Sequence, residues 1–148
     1  MSVVANVVEG KIVASVEVEA SPEAVFRAIS SDEICQWWGS DDTYRVVNWV
    51  GDVRPGGKWQ ADTRSADGSR EMIVRGEFLM VEPPRVLVHT WLPSWDGSVE
   101  TTVRYELTPT ANGTRVDVTH SGFIEAAAQR DHAEGWKRVL GWLTEHFQ

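Results

Sequence analysis

Val99-Glu100-Thr101-Thr102-Val103-Arg104-Tyr105-Glu106-Leu107, the turn Ala111-Asn112-Gly113, the return Thr114 to His120 and the closing stretch Ala126 to Phe147 together decide the fold. Val99, Thr101, Val103, Tyr105 and Leu107 alternate with Glu100, Thr102, Arg104 and Glu106. Past the turn, Val116, Val118 and His120 continue the inner side of the return segment. A period of two with one polar side is the pattern of adjacent antiparallel strands that have one wet face. From Ala126 the period changes, and Trp136, Val139, Leu140, Leu143 and Phe147 fall on one stripe of a long helix. The spacing therefore predicts an antiparallel sheet whose dry face is covered by the C-terminal helix.

Moving upstream, Arg85 to Trp91 reads as another strand. Arg70 to Val81 is a further one, with Met72, Val74, Gly76, Phe78 and Met80 inward and Glu71, Arg75 and Glu77 outward. Pro83-Pro84 ends it by removing backbone donors. Ala66-Asp67-Gly68-Ser69 marks a hairpin turn. Arg54-Pro55-Gly56-Gly57 separates strands over Thr43 to Val50 and Lys58 to Thr63. Ser30 and Glu33 stand at capping-box spacing before a short helix carrying Ile34, Trp37 and Trp38, which Gly39 stops. Ser21-Pro22-Glu23 supplies an N-cap, a first-turn proline and a first-turn acid for another helix. Lys11 to Glu19 alternates as the first strand, with residues 1–10 as an N-terminal extension. The expected architecture is α+β, a single domain over residues 11–148 with a curved sheet of six to seven strands, two short helices after strand one and the long helix last.

Composition narrows the partners. The formal charge is −8, from 22 acidic against 14 basic side chains, a field that repels phosphate backbones and anionic lipid. Neither nucleic acid nor a membrane is an expected partner, and no run approaches the roughly 18 apolar residues of a membrane span. The start, MSVVANVVEGK, has no basic region followed by an apolar core, so a cytoplasmic location is expected. Cys35 is the one cysteine, which excludes an internal disulfide. Phosphate, flavin and nicotinamide fingerprints are missing, so no cofactor is expected. His89, His120, His132 and His146 show no metal-ligand spacing, so no metal is expected either.

Eight tryptophans are the unusual feature of the composition. Trp59, Phe78, Leu87, Trp91, Tyr105 and Trp136 converge on the inferred inner face, with Trp37 and Trp38 near one mouth. Two readings stand: the aromatics fill the core, or they line a cavity for a small apolar or aromatic molecule. His89 and His120 lie on inward registers, either as buried structural groups, as polar anchors for a ligand, or as proton-transfer groups with Tyr105. Asp41 and Asp42 read as a solvated turn or as acids at the mouth. Trp95, in the loop Leu92 to Gly97, is a lid or a partner-binding tip. Val3, Val4, Val7 and Val8 extend the first strand or pair with a second copy in a homodimer.

Several local signatures, taken in order, resemble the SRPBCC superfamily, the helix-grip proteins that include START domains and birch-pollen allergens. These are Ala20-Ser21-Pro22-Glu23-Ala24-Val25-Phe26, Trp37-Trp38-Gly39, Pro55-Gly56-Gly57, and Val81-Glu82-Pro83-Pro84 leading to Thr90-Trp91. Thr119-His120-Ser121-Gly122-Phe123 and the later Gly135-Trp136 look like the branch named after the activator of the heat-shock-protein-90 ATPase. The resemblance implies the helix-grip fold with a cavity between sheet and helix. It implies several function classes, since one fold hosts unrelated functions: ligand carriers, cyclase, dehydratase or hydrolase enzymes, and chaperone-partner modules. The eukaryotic activators carry a further N-terminal domain that this sequence does not show, so the branch name alone implies no co-chaperone role. Ligand binding is the leading expectation. Acid–base catalysis by His89, His120 or Tyr105 and a protein-interaction role through Trp95 are the alternatives.

Overall fold

The N-terminal valines form a strand of their own, which brings the sheet to eight strands where the alternation alone suggested six to seven. In the computed structural model, which describes residues 3–94 and 99–148, β1 (Val4–Val8) and β2 (Lys11–Val18) make a hairpin. Glu9 and Gly10 close it, both at positive φ (51° and 78°), the backbone hand that lets a two-residue loop follow the strand twist.

Helix α1 (Pro22–Ile29) begins as its sequence dictates. The Ser21 hydroxyl accepts the Ala24 N–H at 3.2 Å, Pro22 opens the first turn, and Val25, Phe26, Ala28 and Ile29 are buried. Helix α2 (Ile34–Trp37) starts differently from the capping box read at Ser30 and Glu33. Ser30 donates back to the Phe26 carbonyl at 2.5 Å, and the Glu33 carboxylate is drawn to His146 at 2.8 Å and Arg27 at 3.5 Å. Glu33 therefore ties the start of α2 to the far end of the last helix.

Six strands follow: β3 (Tyr44–Gly51), β4 (Lys58–Ser65), β5 (Glu71–Glu82), β6 (Val86–Pro93), β7 (Thr101–Thr110) and β8 (Gly113–Ser121). The chain ends on α3 (Ala126–His146). All pairings are antiparallel, in the order β1-β2-β8-β7-β6-β5-β4-β3, and β2–β8 is the one junction between strands distant in sequence. The architecture is the expected α+β helix grip. Backbone contacts of α3 concentrate on β1, β2 and α2, while α1 meets β7 and β8. The long helix thus lies against one half of the sheet, and the β3–β6 half curves away from it.

Two irregularities re-aim side chains. The β3–β4 register shifts between Val46 and Asn48, which leaves Val46 buried, Val47 and Asn48 exposed, and Trp49 turned to the inner side. A second shift between Phe78 and Met80 reverses the parity of β5. Met80, expected inward, is exposed instead, and Val81 packs against the core. One core runs through the molecule, built by Ile12, Val16 and Val18 of β2, Val103 and Leu107 of β7, Val116 and Val118 of β8, and Val139, Leu140 and Leu143 of α3.

Candidate functional site

Between α3 and the receding half of the sheet lies a pocket of about 300 Å³, at the lower end of the ~300–1,000 Å³ usual for small-molecule sites. Its deep wall is aromatic. Trp38 follows α2 and is fixed by Gly39, whose φ of 129° and close backbone approach admit no Cβ, since one would collide with the Tyr44 carbonyl. The Trp38 indole donates to Tyr44 Oη at 3.2 Å, and its ring lies 6.1 Å from Trp91 and 6.0 Å from Trp136, centroid to centroid. Trp59 faces Gly76 across the β4–β5 pair and sits 5.9 Å from Trp91 and 4.9 Å from His89. Phe78, Tyr105 and Trp136 complete the wall.

Of the residues singled out from sequence, Trp38, Trp59, Phe78, His89, Trp91, Tyr105 and Trp136 line this pocket. Trp37, Leu87 and His120 are buried but stand behind it. The Trp37 indole donates to the Ala28 carbonyl at 2.9 Å, which locks the ring against α1. His120 works as a strut. Trp136 can only donate, so at 3.0 Å its Nε1–H fixes His120 Nδ1 as acceptor. The proton then sits on Nε2, which donates to Thr101 Oγ1 at 2.7 Å, and Thr101 donates to the Trp91 carbonyl at 3.3 Å. This chain requires a neutral His120. Burial first, then the nearby His132 and His89, hold its pKa well below the usual imidazole value.

His89 is neutral for a related reason. Its Nδ1 meets the Thr90 carbonyl at 2.9 Å and must be the protonated nitrogen, leaving the lone pair on Nε2. Burial lowers its pKa to about 4, against a smaller opposing effect of that hydrogen bond. Burial also pushes the Tyr105 phenol above its ordinary value. At neutral pH the deep pocket therefore carries no formal charge, which suits an uncharged ligand and gives neither group the near-neutral pKa that proton transfer favours. The indole N–H groups of Trp59 and Trp91 are buried and have no hydrogen-bond partner among the described residues.

The rest of the lining was not singled out as a site from sequence, although alternation set Met72 and Val74 inward and the stripe of the last helix included Val139. Tyr44, Val46 and Trp49 come from β3, Ala61 and Thr63 from β4, Met72 and Val74 from β5. From α3 come Asp131, His132, Gly135, Arg138 and Val139. Asp131 and Arg138 are exposed and are the formally charged acid and base of the lining, both at the rim. Asp41 is an exposed turn residue paired with Arg45 at 2.9 Å, and it does not line the pocket. Cys35 is only half-buried, and burial raises its thiol pKa, so it remains a thiol at neutral pH. Trp95 lies outside the described residues. Among the described residues no three His, Cys, Asp or Glu side chains gather as a metal site needs, and no helix is long and apolar enough to cross a membrane.

A family model described as "Activator of Hsp90 ATPase homolog 1-like protein" matches residues 19–148, nearly the whole chain. The chain belongs to this family. Solved structures share the Activator of Hsp90 ATPase homolog 1-like fold at low identity. A protein from Rhodobacter sphaeroides matches with a TM-score of 0.82 at 20% identity over 99% of this chain and 97% of its own. An AHSA1-like protein from Aeromonas hydrophila gives 0.74 at 23% over 91% and 90%. CalU16 from Micromonospora echinospora gives 0.70 at 18% over 99% and 84%. At such identities the likeness concerns the fold alone. No curated protein sequence matches this homolog 1-like chain.

Proposed function

We propose that this protein binds a small apolar or aromatic molecule in the pocket between the sheet and α3. The family's fold is compatible with ligand binding or a cyclase-like role, and the chemistry of the lining favours the first. The observation that carries the reading is the wall itself, in which Trp38, Trp59, Phe78, Trp91, Tyr105 and Trp136 surround free space while formal charge is confined to the rim. Flat indole and phenol faces stack on a planar ligand. The side chains that would touch it are those six with His89. Trp37, Leu87 and His120 would hold the wall from behind.

Native mass spectrometry of freshly purified protein, with extraction of released small molecules and titration with the fluorescent probe N-phenyl-1-naphthylamine, tests this. The expected result is a bound species of defined mass, or saturable probe binding at one site per chain. A bare protein mass together with no saturable probe binding would sink the reading.

A further inference from the structure

Helix α3 carries two glycines in its interior, Gly135 and Gly141, although glycine is the least favourable helix residue apart from proline. A Cβ on either would meet nothing within 4 Å among the described residues, so neither glycine is there to let another element approach. They differ in one respect: Gly135 lines the pocket and Gly141 does not. One helical turn before Gly135 stands Asp131, and one turn after stands Arg138, both exposed at the rim. Bare backbone thus interrupts the helix face at the place where the uncharged interior meets the charged rim.

We propose that Gly135 is the specificity-determining residue of the pocket, its missing side chain leaving room for the outer part of an amphiphilic aromatic ligand. The ligand's uncharged ring system lies inward against Trp91 and Trp136. Its polar end passes over Gly135 and emerges between the Asp131 carboxylate and the Arg138 guanidinium. This rests on the ligand-binding reading above and adds the size and polarity of the molecule admitted. A Cβ at this position meets nothing within 4 Å among the described residues, so the longer side chain of Gly135→Leu would extend into that room and select for ligands short enough to stay inside.

The experiment compares N-phenyl-1-naphthylamine with the shorter 2-naphthol on wild type, Gly135→Ala, Gly135→Leu and Gly141→Leu. Gly135→Ala is expected to raise the Tm by about 2–4 °C, the effect of helix propensity on a domain of this size, which establishes that the position tolerates a side chain. Gly135→Leu should weaken the longer probe at least about tenfold, roughly one lost ring contact, and change 2-naphthol by less than about twofold. Gly141→Leu should leave both affinities as in wild type. Equal weakening of both probes by Gly135→Leu, no weakening of either, or the same loss in Gly141→Leu overturns the assignment while leaving the pocket reading intact. Failure of both probes to bind wild type refutes the pocket reading itself.

Discussion

Replacing His89 with Asn should flatten the dependence of stability on pH, and the size of the effect follows from its burial. In the folded protein burial holds the His89 pKa at about 4, against roughly 6.5 in an unfolded chain. The unfolded state therefore binds this proton first. Its contribution to stability is complete above about pH 6.5 and is lost as pH falls toward 4, at up to about 1.4 kcal/mol per pH unit. Between pH 7 and pH 5 the loss from His89 alone comes to about 2 kcal/mol. His120, lowered in the same direction by burial first and then by its histidine neighbours, adds to the slope of wild type, and in the variant it keeps all of this but the smaller part due to His89 itself. Asn keeps an N–H near the position of Nδ1 and can still donate to the Thr90 carbonyl. Urea unfolding at pH 7, 6 and 5 gives the comparison, and His89→Asn should lose about 2 kcal/mol less than wild type over that interval. Parallel curves for the two proteins would show that His89 is not held neutral by its surroundings, and the argument for an uncharged pocket would fall with it.

Trp136→Phe should destabilise the fold by about 1–3 kcal/mol, because it leaves His120 Nδ1 buried without its donor. The double variant Trp136→Phe/His120→Phe should recover part of that loss in urea unfolding, and strictly additive losses would refute the proposed strut. Gly76→Ala should cost about 1–3 kcal/mol through overpacking, since its Cβ would run into the Thr90 carbonyl and lie 2.6 Å from Trp59 Nε1. An unchanged melting temperature for that variant would mean that Trp59 is not packed over the glycine.

The fold was legible wherever alternation ran unbroken. In β2 and β8 every second side chain is buried, as it is in β7 from Thr101 to Leu107, and the stripe of α3 falls on the core as spaced. The strand missed was β1, whose exposed Val4, Val7 and Val8 give no polar side to alternate against. Bulges account for the misplaced side chains, because an extra residue reverses the parity of everything after it. Trp49 reached the pocket that way, and Met80 left the interior. A tryptophan standing in the outward register of a strand was the available signal for the first. The rim was missed for another reason. Asp131, Gly135 and Arg138 are polar or featureless on a helix read for its apolar stripe, so the spacing of an acid and a base about a glycine gave no signal there.

Electrostatics separates the binding and catalytic readings better than the list of residue types does. Two histidines and a tyrosine on inward registers look from sequence like an acid–base set. Their placement removes them one at a time. Both nitrogens of His120 are engaged, between Trp136 and Thr101, behind the wall. His89 titrates near 4, so its free nitrogen is a weak base at neutral pH. Burial keeps Tyr105 protonated. The same desolvation that makes these groups poor proton carriers makes the cavity a favourable environment for an uncharged aromatic molecule. A catalytic role would need a substrate whose own charge, once bound, shifted His89 back toward neutrality. The rim pair Asp131 and Arg138 is the part of the lining that can meet a ligand's charge without that cost, since both remain in water.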